Sequence, residues 1–141
     1  MKEQALDQLN SFIFEGRDHK VSFVETISVT TGVECDVYIF VGDSTKDLGI
    51  IRIQPGCKTP LQKVLNGEKT IEGFASGRGK LEITKSDGDK WSYPVGGVQN
   101  SLKVSVAVGD LMQWEADVNS NLVAYEICLP PYKDGRFENL E

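Results

Sequence analysis

From about residue 18 onward the chain changes between apolar and polar residues in short runs. "KVSFVETISVT", "CDVYIFVG", "LGIIRIQ", "TIEGFA", "KLEIT", "KWSYPV", "LKVSVAVG" and "LVAYEICL" are rich in β-branched and aromatic residues and too brief for helices. Glycine, aspartate, asparagine and proline separate them, in "TTG", "GDSTKD", "QPGCKTP", "SGRG", "SDGD", "PVGG" and "ADVNSN". Eight or more short strands about ten residues apart predict a sandwich or small barrel rather than βαβ units. The segment before them follows another period. Leu6, Leu9 and Ile13 recur at helical spacing with Phe12 close by, which predicts one amphipathic helix over residues 3–13.

Two connections can be read in more detail. In "KLEITKSDGDKWSY" the Ser86-Asp87-Gly88-Asp89 stretch predicts a hairpin, because Asp-Gly supplies positive φ at low cost. At Pro130-Pro131 the last long strand should end, since neither proline can donate to a ladder. The chain of 141 residues divides into an N-terminal helical segment (1–17), a barrel (18–131) and a C-terminal extension (132–141) of a single domain.

Composition narrows the function classes. Net charge is −6 with the bases scattered, so the basic stripe that phosphate binding requires is missing and nucleic acid is not an expected partner. No apolar run approaches a membrane span, and "MKEQALDQLN" has no signal-peptide core, which predicts a cytoplasmic protein without membrane partners. Cys35, Cys57 and Cys128 are odd in number and far apart, as expected of reduced thiols. Cys57, in a loop, reads either as reactive or as idle.

Familiar catalytic motifs fail on spacing. "SGRGKL" has neither the glycine separation nor the Lys-Ser/Thr pair of a phosphate loop. His19 is the only histidine, so a histidine-rich metal centre is excluded by arithmetic and a nucleophilic triad would depend on that one residue. A carboxylate-only site for Mg²⁺ or Ca²⁺ stays open in principle, but no D-x-D-x-D-G loop is present and "SDGD" reads as a turn, so the expectation is no metal and no cofactor. There remain polar residues inside strands. Thr70, Glu72 and Phe74 share a face, Arg52 lies with Gln54, Met112 with Trp114, Gln113 with Glu115, and Glu126 with Cys128. They are either the solvated face of half-buried strands or the lining of an interior.

The order of pieces resembles the cupin superfamily over residues 35–131. Pro55-Gly56, Pro60, Gly77 and Gly109-Asp110 follow the family's two motifs in order and approximate spacing. That resemblance implies an all-β double-stranded β-helix, or jelly-roll, barrel. It also implies an inward-facing set comprising Glu72, Gln62, Arg52 with its neighbour Gln54, Phe74, Gln113 or Glu115, Trp114 and Glu126. The family's metal ligands do not carry over. Gln62 and Val64 stand where histidines are expected, Thr70 (or Glu68, with a slip) near the glutamate, and no histidine follows Gly109-Asp110. The metal-free epimerases of the family use a His-Asp pair and a tyrosine, for which His19 lies outside the matched region. The resemblance thus implies metal-independent binding of a small polar molecule, a sugar or organic acid, in the barrel. Two alternatives stand beside it: an isomerase, epimerase or lyase with Glu72 and Glu126 as acid and base, and a non-catalytic interaction protein. Cupins commonly dimerise, so a homodimer is expected. In "PPYKDGRFENL", Tyr132, Arg136 and Phe137 belong either to a solvated tail or to a segment anchored on the barrel or a partner.

Overall fold

The computed structural model describes residues 8–97, 101–132 and 137–140. They form β1 (Ser11–Phe14), β2 (Arg17–Thr30), β3 (Val33–Phe40), β4 (Asp43–Ile53), β5 (Gln62–Val64) and β6 (Lys69–Gly77). These are followed by β7 (Gly79–Thr84), β8 (Lys90–Val95), β9 (Lys103–Ala107), β10 (Leu111–Ala116), β11 (Leu122–Leu129) and β12 (Phe137–Asn139). One sheet has seven strands in the order β1-β2-β3-β4-β11-β6-β9, the other five in the order β12-β5-β10-β7-β8. Every pairing is antiparallel. This is the all-β jelly roll that the cupin resemblance implies, within the sandwich or small barrel that the strand pattern predicts. Among the described residues no helix is long and apolar enough to cross a membrane.

The two-residue period sorts the side chains. Val33, Ile51, Ile53, Leu122 and Ala124 of the large sheet pack against Val64, Leu81, Ile83, Met112, Trp114 and Ala116 of the small one. Burying each large side chain contributes about 1.5–3 kcal/mol, so this inter-sheet core holds the sandwich together. The opposite face of the large sheet is also covered. Tyr38, Leu48, Ile71 and Ile127 form a second core with Phe14, Val21 and Phe40, and Phe12 meets Tyr125 edge-on at 5.1 Å between centroids. Gly73 makes room for this layer, since a Cβ there would overlap the Tyr125 ring.

The helix expected over residues 3–13 is corrected where it can be followed. Residues 11–14 are β1, in a hairpin with Arg17–Lys20. Glu15 and Gly16 turn the chain with φ of 53° and 77°, the paired positive values a tight two-residue hairpin turn requires. Phe12 and Phe14 then fall on the covered side, while Ile13, which the helical reading placed inward, is 73% exposed. Two phenylalanines burying at a period of two outweigh one isoleucine at a period of 3.6. Residues 3–7 of the expected helix lie outside the described residues.

The hairpin around Asp87-Gly88 forms, with Thr84 paired to Lys90 and Gly88 at φ 98°. β11 ends at Leu129, followed by a cis Leu129–Pro130 bond. Beyond Tyr132 the chain rejoins the small sheet, where Phe137, Glu138 and Asn139 pair with Val64, Lys63 and Gln62.

Candidate functional site

β6 and β11 are adjacent, and their register sets Glu72 directly opposite Glu126. Both point to the inter-sheet side, in phase with Thr70 and Cys128, which also face each other. Glu72 is wholly buried. The indole Nε1 of Trp114 crosses from the small sheet and donates to its Oε1 at 2.8 Å. Glu72 Oε2 and the neighbouring Thr70 hydroxyl make no well-aligned hydrogen bond.

A carboxylate so placed is costly to ionise. Burial first, then the charge and the facing carboxyl of Glu126, raise the Glu72 pKa well above its ordinary value, against smaller opposing effects of Trp114 and Thr70. Protonated, Glu72 has a use for its second oxygen: the acid hydrogen is within reach of Glu126. The pair is best described as one neutral acid donating to one partner carboxyl.

Glu126, but not Glu72, lines a pocket of about 290 Å³. The strands that build it are β2, β3, β4 and β11 of the large sheet, with Thr59, Gln62 and the C-terminal Tyr132 and Phe137 on the other side. Gly49, between Val37 and Glu126 in the sheet register, contributes no side chain. A Cβ at that position would come within 2.9 Å of Cys35 Sγ. Cys35 is a thiol whose pKa is pushed far up, by burial and then by Glu126, Asp36, Glu72 and Asp47 in turn. Most of the wall is aliphatic, and the polar groups converge on Glu126, Asp47, Thr59 and Gln62, a composition common to small-molecule sites.

The sequence-expected residues are thus distributed over several places. Glu126, Gln62 and Tyr132 line the pocket. Gln62 Nε2 also donates to Asn139 at 3.0 Å, and Tyr132 stacks on Phe137 at 5.9 Å. Glu72 and Trp114 lie behind Glu126, and Phe74 packs against the same core. Gln113 points away from Trp114 and donates to the Thr59 carbonyl at 2.8 Å. Arg52 and Gln54 line a different groove, with Ser28, Thr30 and Asn121. There the Arg52 guanidinium binds Asp36 through two hydrogen bonds of 2.9 and 2.8 Å, and Glu34 at 3.1 Å. Burial alone would raise Asp36, but the Arg52 bonds hold it below the usual carboxylate range.

Asp47, Gly49 and Cys35 were not singled out from the sequence. The signal was available: carried two residues further back, the alternation of Ile51 and Ile53 places Gly49 and Asp47 on the same face.

A metal of the kind bound by cupins does not fit these residues. Val64, at one expected ligand position, is fully buried in the apolar core, and Thr70, near the glutamate position, is fully buried opposite Cys128. Among the described residues no three His, Cys, Asp or Glu side chains are grouped to hold an ion. Asp110, in the Gly-Asp of the second motif, serves the backbone instead, accepting from Lys85 Nζ, Ser86 N and Ala107 N at 3.0, 3.2 and 3.0 Å.

No family model matches the sequence, and no curated protein matches it. The fold, by contrast, is shared with solved structures. An oxalate decarboxylase superposes with a TM-score of 0.68 at 18% identity, over 83% of this chain and 30% of that one. The capsular polysaccharide assembling protein CapF of Staphylococcus aureus gives 0.63 at 14% identity, over 86% and 34%. A cupin-2 domain protein of Rhodospirillum rubrum gives 0.61 at 12% identity, over 92% and 79%. The chain spans about a third of the length of the first two. At these identities the likeness concerns architecture, and the conclusion it supports is that this chain has the cupin fold.

Proposed function

We propose that the protein binds a small polar molecule, of the sugar or organic-acid class, in the pocket under β2, β3, β4 and β11, without a metal ion. The observation that carries this reading is the placement of Glu126 on the pocket wall, backed by a buried partner acid that Trp114 fixes in position. Glu126 keeps acceptor capacity for a hydroxyl or other donor, because a carboxylate offers about four lone-pair sites. Gln62 adds a donor and an acceptor, and the aliphatic wall desolvates the body of the ligand.

A second reading, a metal-independent isomerase, epimerase or lyase, is favoured by one specific feature. An acid and a carboxylate side by side are the components of general acid–base catalysis. Against it, Glu72 is sealed behind Glu126 and Trp114, so only one member of the pair faces a ligand. Binding is therefore the preferred function, with Glu72 as a positioning residue.

A thermal-shift screen with sugars, sugar phosphates and carboxylic acids tests the proposal. A ligand at 100 times its Kd adds about 2.7 kcal/mol of apparent stability. The stabilisation should disappear in Glu126→Gln and persist in Glu72→Gln. A ligand that stabilises the wild type and Glu126→Gln equally would place binding elsewhere. Turnover of the ligand that is lost in both variants would favour the enzymatic reading.

A further inference from the structure

The wall of the Glu126 pocket is uneven in its chemistry. Ile27, Val29, Val33, Val37, Ile51 and Phe137 make most of it, and the polar groups gather where Glu126, Asp47, Thr59 and Gln62 stand. A molecule that fits is apolar over most of its surface and polar at one end. A sugar carries a hydroxyl on nearly every carbon, and those turned to the aliphatic wall would lose water without gaining a partner. Size follows from volume. A cavity of about 150 Å³ holds one benzene ring. About 290 Å³ therefore takes roughly ten to twelve non-hydrogen atoms.

The polar end decides the head group. The charged side chains on the described wall, Glu126 and Asp47, are both acids. Glu72 of β6 lies directly across from Glu126, and Cys128 Sγ of the same strand donates to Glu126 Oε1 at 3.8 Å. Cys35 of β3 and Asp47 of β4 are the other titratable groups around it, with Tyr132 on the far side of the pocket. Trp114 Nε1 of β10 fixes Glu72 from behind. Burial gives the proton of the acid pair to Glu72, which leaves Glu126 as the acceptor on the pocket side. A ligand carboxylate would add a third negative charge there. An ammonium would bring a full charge and three N–H groups against a mainly aliphatic wall, where ions are costly to place. A carboxylic acid has neither fault. Its O–H donates to a carboxylate in a short, charge-assisted bond, and its carbonyl oxygen accepts from an amide such as that of Gln62.

We propose that the ligand is a monocarboxylic acid with an apolar body, about ten non-hydrogen atoms in all, bound as the neutral acid with its O–H on Glu126. This choice of ligand rests on the function proposed above and takes its organic-acid class over its sugar class. Three carboxyls then share two protons, one on Glu72 and one on the ligand, and binding at neutral pH takes up one proton. Because only the neutral form enters, affinity falls about tenfold for each pH unit above the ligand's own pKa.

Isothermal titration calorimetry of the full chain at about pH 5, 6 and 7 tests this with hydrocinnamic acid, which has the required size. Its Kd should rise about tenfold per pH unit, with one proton taken up per ligand, read from the dependence of the heat on the buffer's ionisation enthalpy. Hydrocinnamamide, a neutral isostere with the same body, should bind with a Kd that hardly changes, and so reports any titration of Glu72 and Glu126 themselves. Neither glucose nor phenylpropylamine should bind measurably. An acid Kd that is flat over this range, or a rise that the amide matches, overturns the neutral-acid inference. So does a pocket that takes glucose or the amine instead and loses it in Glu126→Gln, a result that leaves the binding function standing. No binding of the acid at the lowest pH overturns the inference alone, whereas acid binding that survives Glu126→Gln unchanged overturns the site with it.

Discussion

Replacing Glu72 by glutamine should make the protein more resistant to rising pH. The side chain is fully buried and its pKa is raised well above the ordinary 4.5, by burial first and then by Glu126. The folded state therefore holds a proton that the unfolded chain gives up above pH 4.5. Because the native state binds more protons, stability falls as pH rises, at up to about 1.4 kcal/mol per pH unit. The contribution is complete below the unfolded pKa and is lost as pH climbs through the folded one. Glutamine keeps an oxygen for Trp114 Nε1 and replaces the acid hydrogen facing Glu126 with an amide N–H, so the variant lacks this dependence. Urea midpoints followed by tryptophan fluorescence from about pH 5 to about pH 8 measure the difference, since the titrating groups outside the Glu72–Glu126 pair are common to both proteins. The gap should widen in favour of Glu72→Gln as pH rises above about 5 toward the folded-state pKa of Glu72 and level off beyond it. Parallel stability curves would refute a protonated Glu72.

Three further outcomes follow from the same neighbourhood. Trp114→Phe removes the donor to a buried acceptor, and chemical denaturation should show a loss of about 1–3 kcal/mol, smaller in a background where Glu72 is already leucine. Gly49→Ala pushes a methyl against Cys35 Sγ, 2.9 Å from where its carbon would sit. It should cost about 1–3 kcal/mol, most of it recovered when Cys35→Ala is added; a strictly additive pair would show that the contact is not the cause. The raised Cys35 thiol should resist iodoacetamide in the native protein at mildly alkaline pH and react once urea unfolds the chain, as read by peptide mass mapping. Fast native alkylation of Cys35 would contradict a thiol held protonated beside the carboxyls.

Much of this arrangement was legible in the sequence, and the parts that were not have physical causes. Strand alternation put Glu72 in phase with Thr70 and Phe74, and Glu126 in phase with Cys128; the cupin resemblance supplied the inward direction, and the sheet register sets the two acids opposite each other. The loop from Pro55 to Gln62 kept its turn residues. Gly56 has φ 75°, and Thr59 bonds the Trp114 backbone, with Thr59 N donating to Trp114 O at 2.9 Å and Trp114 N to Thr59 Oγ1 at 3.0 Å. Arg52 was harder to place. Its strand neighbours Ile51 and Ile53 take the inter-sheet face, which leaves the guanidinium to Glu34 and Asp36 of β3. Only the register of β3 on β4 reveals those partners, and one sequence does not give it. For β1, a short apolar run fitted two periods, and the Glu15-Gly16 turn decided between them through backbone φ rather than side-chain pattern. β12 was invisible for a similar reason: three residues carry too little periodicity, and what holds them is the edge of β5.

The central claim, that the Glu126 pocket is the ligand site, is tested most directly by amide chemical-shift mapping of the isotope-labelled protein. The spectra would be titrated with the compound that stabilises it best. The shifts should concentrate on Val37, Gly49, Gln62 and Glu126 and vanish in Glu126→Gln. Saturable shifts confined to the Arg52 groove, or to neither site, would contradict it.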